Sequence, residues 1–149
     1  MRPALEILKG KRNLRGVEVG VLIGGNARDM IENLDIEMIY LVDNFAIGGE
    51  KLKKSALFYM SPYERQIKWY FCDSTQIKDD IKDLDFVYID GSHSYKNVIS
   101  DITYWLPRIK EGGVLGGHDY GSNEPGVIKA VDELFKEKNT KGADWWVTV

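Results

Sequence analysis

Short runs of β-forming residues alternate with stretches of helical periodicity along the whole chain, and this alternation restricts the fold more than any other feature. Strands that alternate with helices form a parallel sheet that helices cover on both faces. The hydrophobic run Phe86–Ile89 is typical of a strand buried on both sides. We therefore predict a Rossmann-like, doubly wound α/β fold with a mostly parallel sheet of about six strands. The predicted strands are residues 17–21, 38–42, 67–72, 86–89, 114–117 and 145–149.

The segments between these strands have the spacing of amphipathic helices. In one of them, Val98, Ile102, Trp105 and Ile109 fall on one face, and the helix is expected to stop before the glycines that follow. The chain contains no internal repeat, low-complexity tract or linker, so residues 1–149 are expected to form a single domain. The predicted helices are residues 3–8, 27–34, 50–59, 97–109 and 127–135.

Acidic residues follow four of the six predicted strands. They are Asp43, Asp73, Asp90 and, after a histidine, Asp119. In an open parallel sheet, ligands bind beyond the carboxyl ends of the strands. A single aspartate at such a position could be an ordinary helix cap. Four of them at one edge of the sheet indicate a binding site there.

A glycine-rich turn connects the first predicted strand to the helix after it and reads Glu18-Val-Gly20-Val-Leu-Ile-Gly24-Gly-Asn-Ala. Glycines let a ligand approach the backbone, although an ordinary strand-to-helix turn would also use them. The chain lacks the G-x-G-x-x-G fingerprint of dinucleotide-binding folds and the G-x-x-x-x-G-K-[ST] P-loop. The spacing E-x-G-x-x-x-G-G-x-A instead resembles the first motif of class I S-adenosylmethionine-dependent methyltransferases, in which the turn wraps the methionine half of the cofactor.

Two of the acids at strand ends are candidates for contacts with an adenosine-containing cofactor. Asp43 could accept hydrogen bonds from both ribose hydroxyls, each contributing roughly 1.5–3 kcal/mol. NAD-binding folds place an acid at the same position. In the methyltransferases that the glycine turn resembles, the position of Asp73 and Ser74 commonly contacts the adenine amino group. Each of these residues could equally cap the helix that follows.

The two histidines of the chain each lie near an aspartate at the end of a predicted strand. Asp90 and His93 are separated by Gly-Ser in a tight turn, and His118 directly precedes Asp119. Carboxylates are suitable ligands for hard divalent cations. Histidine titrates near neutral pH, so His93 is a candidate general base, or else a turn residue that bonds its own backbone. His118 could be a ligand, a partner of a ligand, or a polar residue near the surface.

The pattern D-F-x-x-I-D-G-x-H-x-Y, followed by a helix and then G-G-x-x-x-x-H-D-Y, resembles one branch of the class I methyltransferases. That branch contains the macrolide-sugar and macrocin O-methyltransferases and the cephalosporin hydroxylase-related group. There the Asp of D-G-x-H and an acidic pair after the fifth strand hold Mg²⁺, and the His deprotonates the substrate hydroxyl. The resemblance spans roughly residues 16–135. It implies His93 as the base, Asp90, His118 and Asp119 as metal ligands, and Glu18, Gly20, Gly24, Asp43, Asp73 and Ser74 as contacts of S-adenosylmethionine.

Two features depart from that pattern. His118 stands where the sugar enzymes have an acid, and this exchange would suit Mn²⁺, Fe²⁺ or Zn²⁺ better than Mg²⁺. The sequence also stops after the sixth predicted strand, so we expect the seventh, antiparallel strand of the usual sheet to be absent. Two alternatives stay open at this point. One is an NAD-dependent oxidoreductase, and the other is a degenerate methyltransferase fold that binds a cofactor or partner without catalysis.

The composition and net charge of the chain limit the classes of partner that it is expected to bind. The 149 residues carry a formal net charge of −3, so a basic nucleic-acid-binding face is not expected. No stretch approaches the ~20 apolar residues of a membrane span, and no signal peptide is evident. The single cysteine, Cys72, favours a reducing compartment, and we expect a cytoplasmic protein with a small-molecule acceptor. Trp145 and Trp146 could cover a homo-oligomer interface or lie in the core.

Overall fold

The computed structural model describes residues 1–121 and 123–149 and is built around one seven-stranded sheet with the order β3-β2-β1-β4-β5-β7-β6. Strands β1 to β5 are parallel to one another, and β7 runs antiparallel to both of its neighbours. The α/β fold expected from the alternating pattern is confirmed. The strands are β1 Leu14–Val19, β2 Ile36–Val42, β3 Ile67–Tyr70, β4 Leu84–Ile89, β5 Ile109–Gly117, β6 Asn139–Lys141 and β7 Asp144–Thr148.

The antiparallel strand that we expected to be absent is present, and this expectation was wrong. The last predicted strand, residues 145–149, is itself the antiparallel strand β7, whose Trp145 pairs with Gly117 of β5. The sixth strand is the short β6, which forms the outer edge of the sheet. It escaped prediction because its three residues are polar and exposed, so that it forms only by pairing with β7.

Four α-helices and several short 3₁₀ helices connect the strands. The predicted helix 97–109 ends at Trp105, because Pro107 cannot continue an α-helix, and Ile109 already belongs to β5. The predicted N-terminal helix, Pro3–Leu8, is a 3₁₀ helix. Among the described residues, no helix combines the length and apolar character needed to cross a membrane. The α-helices are α1 Gly25–Asn33, α2 Gly49–Met60, α3 Tyr95–Trp105 and α4 Pro125–Leu134.

The core has one layer on each face of the sheet. Helices α3 and α4 cover one face, where Val87 and Ile89 of β4 point. Helices α1 and α2 and the N-terminal 3₁₀ helix cover the other, where Phe86 and Tyr88 point. All six residues of β4 are buried, as the hydrophobic run in the sequence indicated. Of the two C-terminal tryptophans, Trp145 lies in the core.

Candidate active site

The carboxyl ends of the central parallel strands meet at one edge of the sheet. Val19 of β1 is paired with Val42 of β2 on one side and with Ile89 of β4 on the other. Ile89 is in turn paired with Gly117 of β5. This register places the first residues beyond four strands side by side. They are Gly20, Asp43, Asp90 and His118.

Glycine is required at two positions of the turn between β1 and α1. Gly20 has a φ of +84°, and a Cβ atom there would lie 2.2 Å from the carbonyl oxygen of Asp90. Gly24 has a φ of +93°, and its Cβ would lie 2.6 Å from the side chain of Met60. Larger residues would therefore be strained and would collide with their neighbours. The turn thus brings the end of β1 into direct contact with the residue that follows β4.

Glu18 is a buried acid with one unsatisfied oxygen. Its side chain is 1% exposed, and its Oε1 accepts a hydrogen bond from Asn26 Nδ2 at 2.8 Å. Its Oε2 has no hydrogen-bond partner among the described residues. Burial raises the pKa of Glu18 to about 8, although the bond from Asn26 opposes this shift. A buried acceptor without a partner is uncommon and indicates a place where a donor from outside the chain can bind.

Asp43 holds the glycine turn in place. Its Oδ2 accepts hydrogen bonds from the backbone N–H groups of Val21 and Leu22, both at 2.9 Å. Its Oδ1 accepts one from the N–H of Phe45 at 2.7 Å. A carboxylate has about four acceptor positions, so the capacity left for a ribose is smaller than the sequence suggested. The sequence could not reveal these bonds, because they join two loops that follow different strands.

Asp73 and Ser74, the candidate adenine contacts, lie beyond the end of β3. The carboxylate of Asp73 accepts a hydrogen bond from the side chain of Asn44, so the loops after β2 and β3 are linked. The hydroxyl of Ser74 donates to Asp101 of α3, and both side chains are buried. Burial raises the pKa of Asp101, and the bond from Ser74 opposes this. The hydroxyl of Ser74 is therefore engaged within the protein.

A cluster of two carboxylates and an imidazole follows β4 and β5. Donor atoms of Asp90, His93 and Asp119 all lie within 4.8 Å of one another. His93 lies between two acids, with Nε2 2.9 Å from Asp119 Oδ2 and Nδ1 3.2 Å from Glu124 Oε1. Asp119 has a φ of +62°, an unfavourable conformation that is more common at functional sites. The sequence analysis missed Glu124, which reaches the cluster from the N-terminus of α4.

His118 lies beside this cluster rather than within it. Its Nδ1 is 3.0 Å from Asp119 Oδ1 and 3.9 Å from Asp90 Oδ1. Its Nε2 is 4.0 Å from the buried Asp144, which also accepts a hydrogen bond from the Tyr88 hydroxyl. The imidazole that joins the two carboxylates is thus that of His93, and a role of His118 as a metal ligand stays a prediction.

Arg2 is a further residue of the site that the sequence analysis missed. Its Nη2 donates to Asp90 Oδ2 at 3.1 Å, and its guanidinium lies 5.9 Å from the centre of the Tyr88 ring. Burial raises the pKa of Asp90, whereas the positive charge of Arg2 lowers it. The two residues are 88 positions apart, and a lone arginine near the N-terminus carries no motif that would have shown this contact.

Comparisons with solved structures agree with this architecture. The O-methyltransferase NovP superposes with a TM-score of 0.75 at 17% identity, over 97% of this chain and 75% of that one. A TDP-rhamnose 3′-O-methyltransferase of calicheamicin biosynthesis gives 0.68 at 13% identity, over 90% and 70%. A SAM-dependent O-methyltransferase of Thermotoga maritima gives 0.65 at 18% identity, over 87% and 47%. At these identities the likeness concerns the fold alone.

Two proteins of similar sequence come from a virus and a bacterium. An uncharacterized protein of Acanthamoeba polyphaga mimivirus is 30% identical over 136 residues, which are 85% of this chain and 62% of that protein. An uncharacterized protein of Sinorhizobium fredii is 29% identical over 80 residues, 52% of this chain and 9% of that protein. The chain therefore spans less than two thirds of the length of either relative.

A family model described as a methyltransferase domain matches residues 17–120. The match begins in β1, includes the glycine turn and the acid after β2, and ends just past Asp119. None of the reported matches supports the dehydrogenase alternative. The family model and the sheet topology agree: the chain belongs to this family of methyltransferase domains and has the fold of the S-adenosylmethionine-dependent methyltransferases.

Proposed function

We propose that this chain transfers a methyl group from S-adenosylmethionine to a hydroxyl group of a small molecule or sugar. The observation that carries the proposal is the contact between the two halves of the site. The cluster of Asp90, His93 and Asp119 lies directly beside the glycine turn, because Gly20 packs against the carbonyl of Asp90. Methyl transfer requires donor and acceptor about 3–3.5 Å apart in a fixed orientation. A hydroxyl acceptor also needs a base, because a neutral alcohol is a poor nucleophile.

The residues at the ends of β1 and β2 fit S-adenosylmethionine. The unpartnered Oε2 of Glu18 can accept a hydrogen bond from an ammonium group, and Asp43 keeps an acceptor position for a ribose hydroxyl. Gly20 and Gly24 would let the cofactor approach the turn, and the loop of Asp73 and Ser74 would flank the adenine. The cofactor, when bound, supplies an electrophilic methyl group on a sulfonium sulfur.

The acidic pair fits a divalent cation. We assign Asp90 and Asp119 as its ligands, with His118 beside them, since its Nδ1 is 3.0 Å from Asp119. A mixed set of carboxylate and imidazole donors suits Mn²⁺ better than Mg²⁺. A cation held there would lower the pKa of a coordinated hydroxyl and fix its direction.

His93 acts in this proposal as the general base. Glu124 contacts Nδ1 and would keep the hydrogen on that nitrogen, so that the lone pair lies on Nε2. Nε2 faces Asp119 at 2.9 Å. To act as the base, Nε2 would exchange its contact with Asp119 for one with the acceptor hydroxyl and take the proton of that hydroxyl.

The test has a binding stage and a turnover stage. Protein purified without added ligand is analysed by mass spectrometry for S-adenosylmethionine or S-adenosylhomocysteine, and S-adenosylhomocysteine affinity is measured by calorimetry. Turnover of S-adenosylmethionine is then followed with a panel of sugars, sugar nucleotides and phenols, with Mg²⁺, Mn²⁺ or EDTA.

The His93→Gln variant should lower kcat by about 10²–10⁴-fold and leave S-adenosylhomocysteine affinity nearly unchanged. The exposed Lys136→Gln serves as the control. Binding of the cofactor without methylation of any acceptor would instead indicate a binding module, and absence of binding would refute the methyltransferase proposal.

A further inference from the structure

We propose that Arg2 binds the α-carboxylate at the amino-acid end of S-adenosylmethionine, while Glu18 accepts from its α-ammonium group. The inference rests on the proposed function and assigns a recognition role to a residue outside the matched family segment, residues 17–120. It concerns the only part of the cofactor that carries charges of both signs close together.

Arg2 is positioned at the junction of β1 and β4. Its guanidinium lies over the ring of Tyr88, and Tyr88 is the residue of β4 that pairs with Glu18 of β1. The side chain is 32% exposed, so it is partly packed against protein and partly accessible to a ligand. The bond to Asp90 uses one of its five N–H donors, which leaves donors for a bidentate contact with a carboxylate.

The backbone that carries Arg2 is fixed by the core. The N–H of Ala4 donates to Asp144 Oδ2 at 3.2 Å, and Asp144 is 2% exposed. Leu5 and Leu8 of the same 3₁₀ helix are fully buried against the sheet. The backbone next to Arg2 is therefore held against the core. A guanidinium held in this way loses less conformational entropy on binding than one on a mobile segment.

The charges at the site are complementary to an amino acid. Glu18 offers a buried carboxyl oxygen without a partner, and Arg2 offers a guanidinium within electrostatic range of that group. The positive charge of Arg2 favours the ionised form of Glu18 against the effect of burial. An α-ammonium and an α-carboxylate would satisfy both residues at once. The orphaned oxygen of Glu18 is independent of the contacts of Arg2, and both features lead to the same ligand group.

Calorimetric titration with three ligands tests this assignment. S-adenosylhomocysteine has both charged groups, its decarboxylated analogue S-adenosyl-3-thiopropylamine keeps only the ammonium, and 5′-methylthioadenosine has neither. Each is titrated into the wild type, Arg2→Met, Arg2→Lys and the control Arg12→Met, which removes an exposed arginine of the same region. Thermal melting of every variant verifies that it is folded.

Arg2→Met should bind S-adenosylhomocysteine about 10–100-fold more weakly than the wild type, because a charge-assisted contact is lost. It should bind the decarboxylated analogue and 5′-methylthioadenosine with nearly wild-type affinity. Arg2→Lys should lie between, since it keeps the charge but loses the planar fork. Arg12→Met should behave as the wild type with all three ligands.

Two outcomes would overturn the role of Arg2 alone. Either Arg2→Met binds S-adenosylhomocysteine as well as the wild type does, or it loses affinity equally for all three ligands, which would make Arg2 only a structural partner of Asp90. If the wild type binds none of the ligands, the proposed function fails, and the role of Arg2 fails with it.

Discussion

At the scale of single residues, the edge formed by the carboxyl ends of the strands contains strained backbone conformations and a buried acid. Both features lower the stability of the folded chain. Leu22 and Phe45 both have φ values of +52°, and the N–H groups of both donate to Asp43. Non-glycine residues in this region are strained by roughly 1–3 kcal/mol each. One aspartate therefore stabilises two unfavourable backbone positions, and its replacement is expected to disturb the glycine turn as well as any ribose contact.

Gly20→Ala should destabilise the protein more than Gly10→Ala. Both glycines have a φ of +84°, but a Cβ on Gly10 meets nothing within 4 Å, whereas on Gly20 it meets the backbone of Asp90. We expect Gly10→Ala to lower the free energy of unfolding by about 1–2 kcal/mol, which is the penalty of the conformation alone. The clash should add about 1–3 kcal/mol at Gly20. Urea denaturation measures both, and equal losses would contradict the close approach of the loops.

Glu18→Gln should stabilise the unliganded protein in a pH-dependent way. The pKa of Glu18 is about 8 in the folded chain against 4.5 for the ordinary group, so the folded state holds the proton more tightly. Between these values the unfolded state binds fewer protons, and wild-type stability falls as pH rises. Glutamine stays neutral, so its advantage over the wild type should grow by a few kcal/mol from about pH 5 to about pH 8.

Thermal and urea unfolding across this pH range provide the measurement for Glu18→Gln. The exposed Glu137→Gln should follow the wild type throughout and serves as the control. A difference between Glu18→Gln and the wild type that is the same at both ends of the range would mean that Glu18 is not held protonated by burial.

At the scale of elements, a single buried acid of β7 links the N-terminal 3₁₀ helix to the sheet. Asp144 accepts from the N–H of Ala4 at 3.2 Å and from the hydroxyl of Tyr88 at 3.0 Å. It thereby connects the first helix of the chain to the last strand and to the central strand β4. Six-residue helices have little stability of their own, so tertiary contacts of this kind determine where the segment lies.

Asp144→Ala should lower the free energy of unfolding by about 2–5 kcal/mol, because two buried donors lose their partner. Hydrogen exchange of the amides of residues 4–8 should accelerate, since the anchor of the 3₁₀ helix is removed. Asp132→Ala is the matched control. Asp132 also accepts from a tyrosine hydroxyl, that of Tyr120 at 2.7 Å, but it is exposed, so only a small change is expected. Similar effects of both variants would show that burial of Asp144 is unimportant.

At the scale of the whole molecule, the sheet assembles one site from segments that are far apart in the chain. Asp90 follows β4, Asp119 follows β5, and Glu124 begins α4. The parallel pairing of β4 with β5 brings the first two together, and the packing of α4 against α3 brings the third. A cation bound here would connect two loops and stabilise the folded chain through binding.

Mn²⁺ should therefore raise the thermal midpoint of the wild type, and metal content after dialysis should show retention. Asp119→Asn removes one charged ligand and should weaken Mn²⁺ binding by about 100-fold or more, in line with hard-cation preference for carboxylates. Asp132→Asn, a surface replacement of the same kind, should leave binding intact. If neither the wild type nor the variants respond to Mn²⁺ or Mg²⁺, Asp90 and Asp119 act only as structural residues.

The sequence by itself determined the class of fold and the edge of the sheet at which the candidate residues lie. Alternating hydrophobic periods are local properties, because each strand or helix must present an apolar face wherever it packs. The glycines of the turn and the acids at strand ends were recognisable because they form local motifs, although the close contacts of Gly20 and Gly24 with Asp90 and Met60 were not. The three-residue β6 could not be predicted from the sequence, because only its pairing with β7 makes it a strand.

Only the tertiary structure decided how the acids and the basic residues are paired. Asp43 was expected to bind a ribose, yet it also accepts hydrogen bonds from the turn that follows β1. Glu124 contacts His93, and Arg2 donates a hydrogen bond to Asp90, which lies 88 positions away in the sequence. Such contacts depend on strand order, register and the packing of a helix against the sheet. These are long-range properties. A local pattern of residues therefore does not show which distant side chain pairs with a charged group.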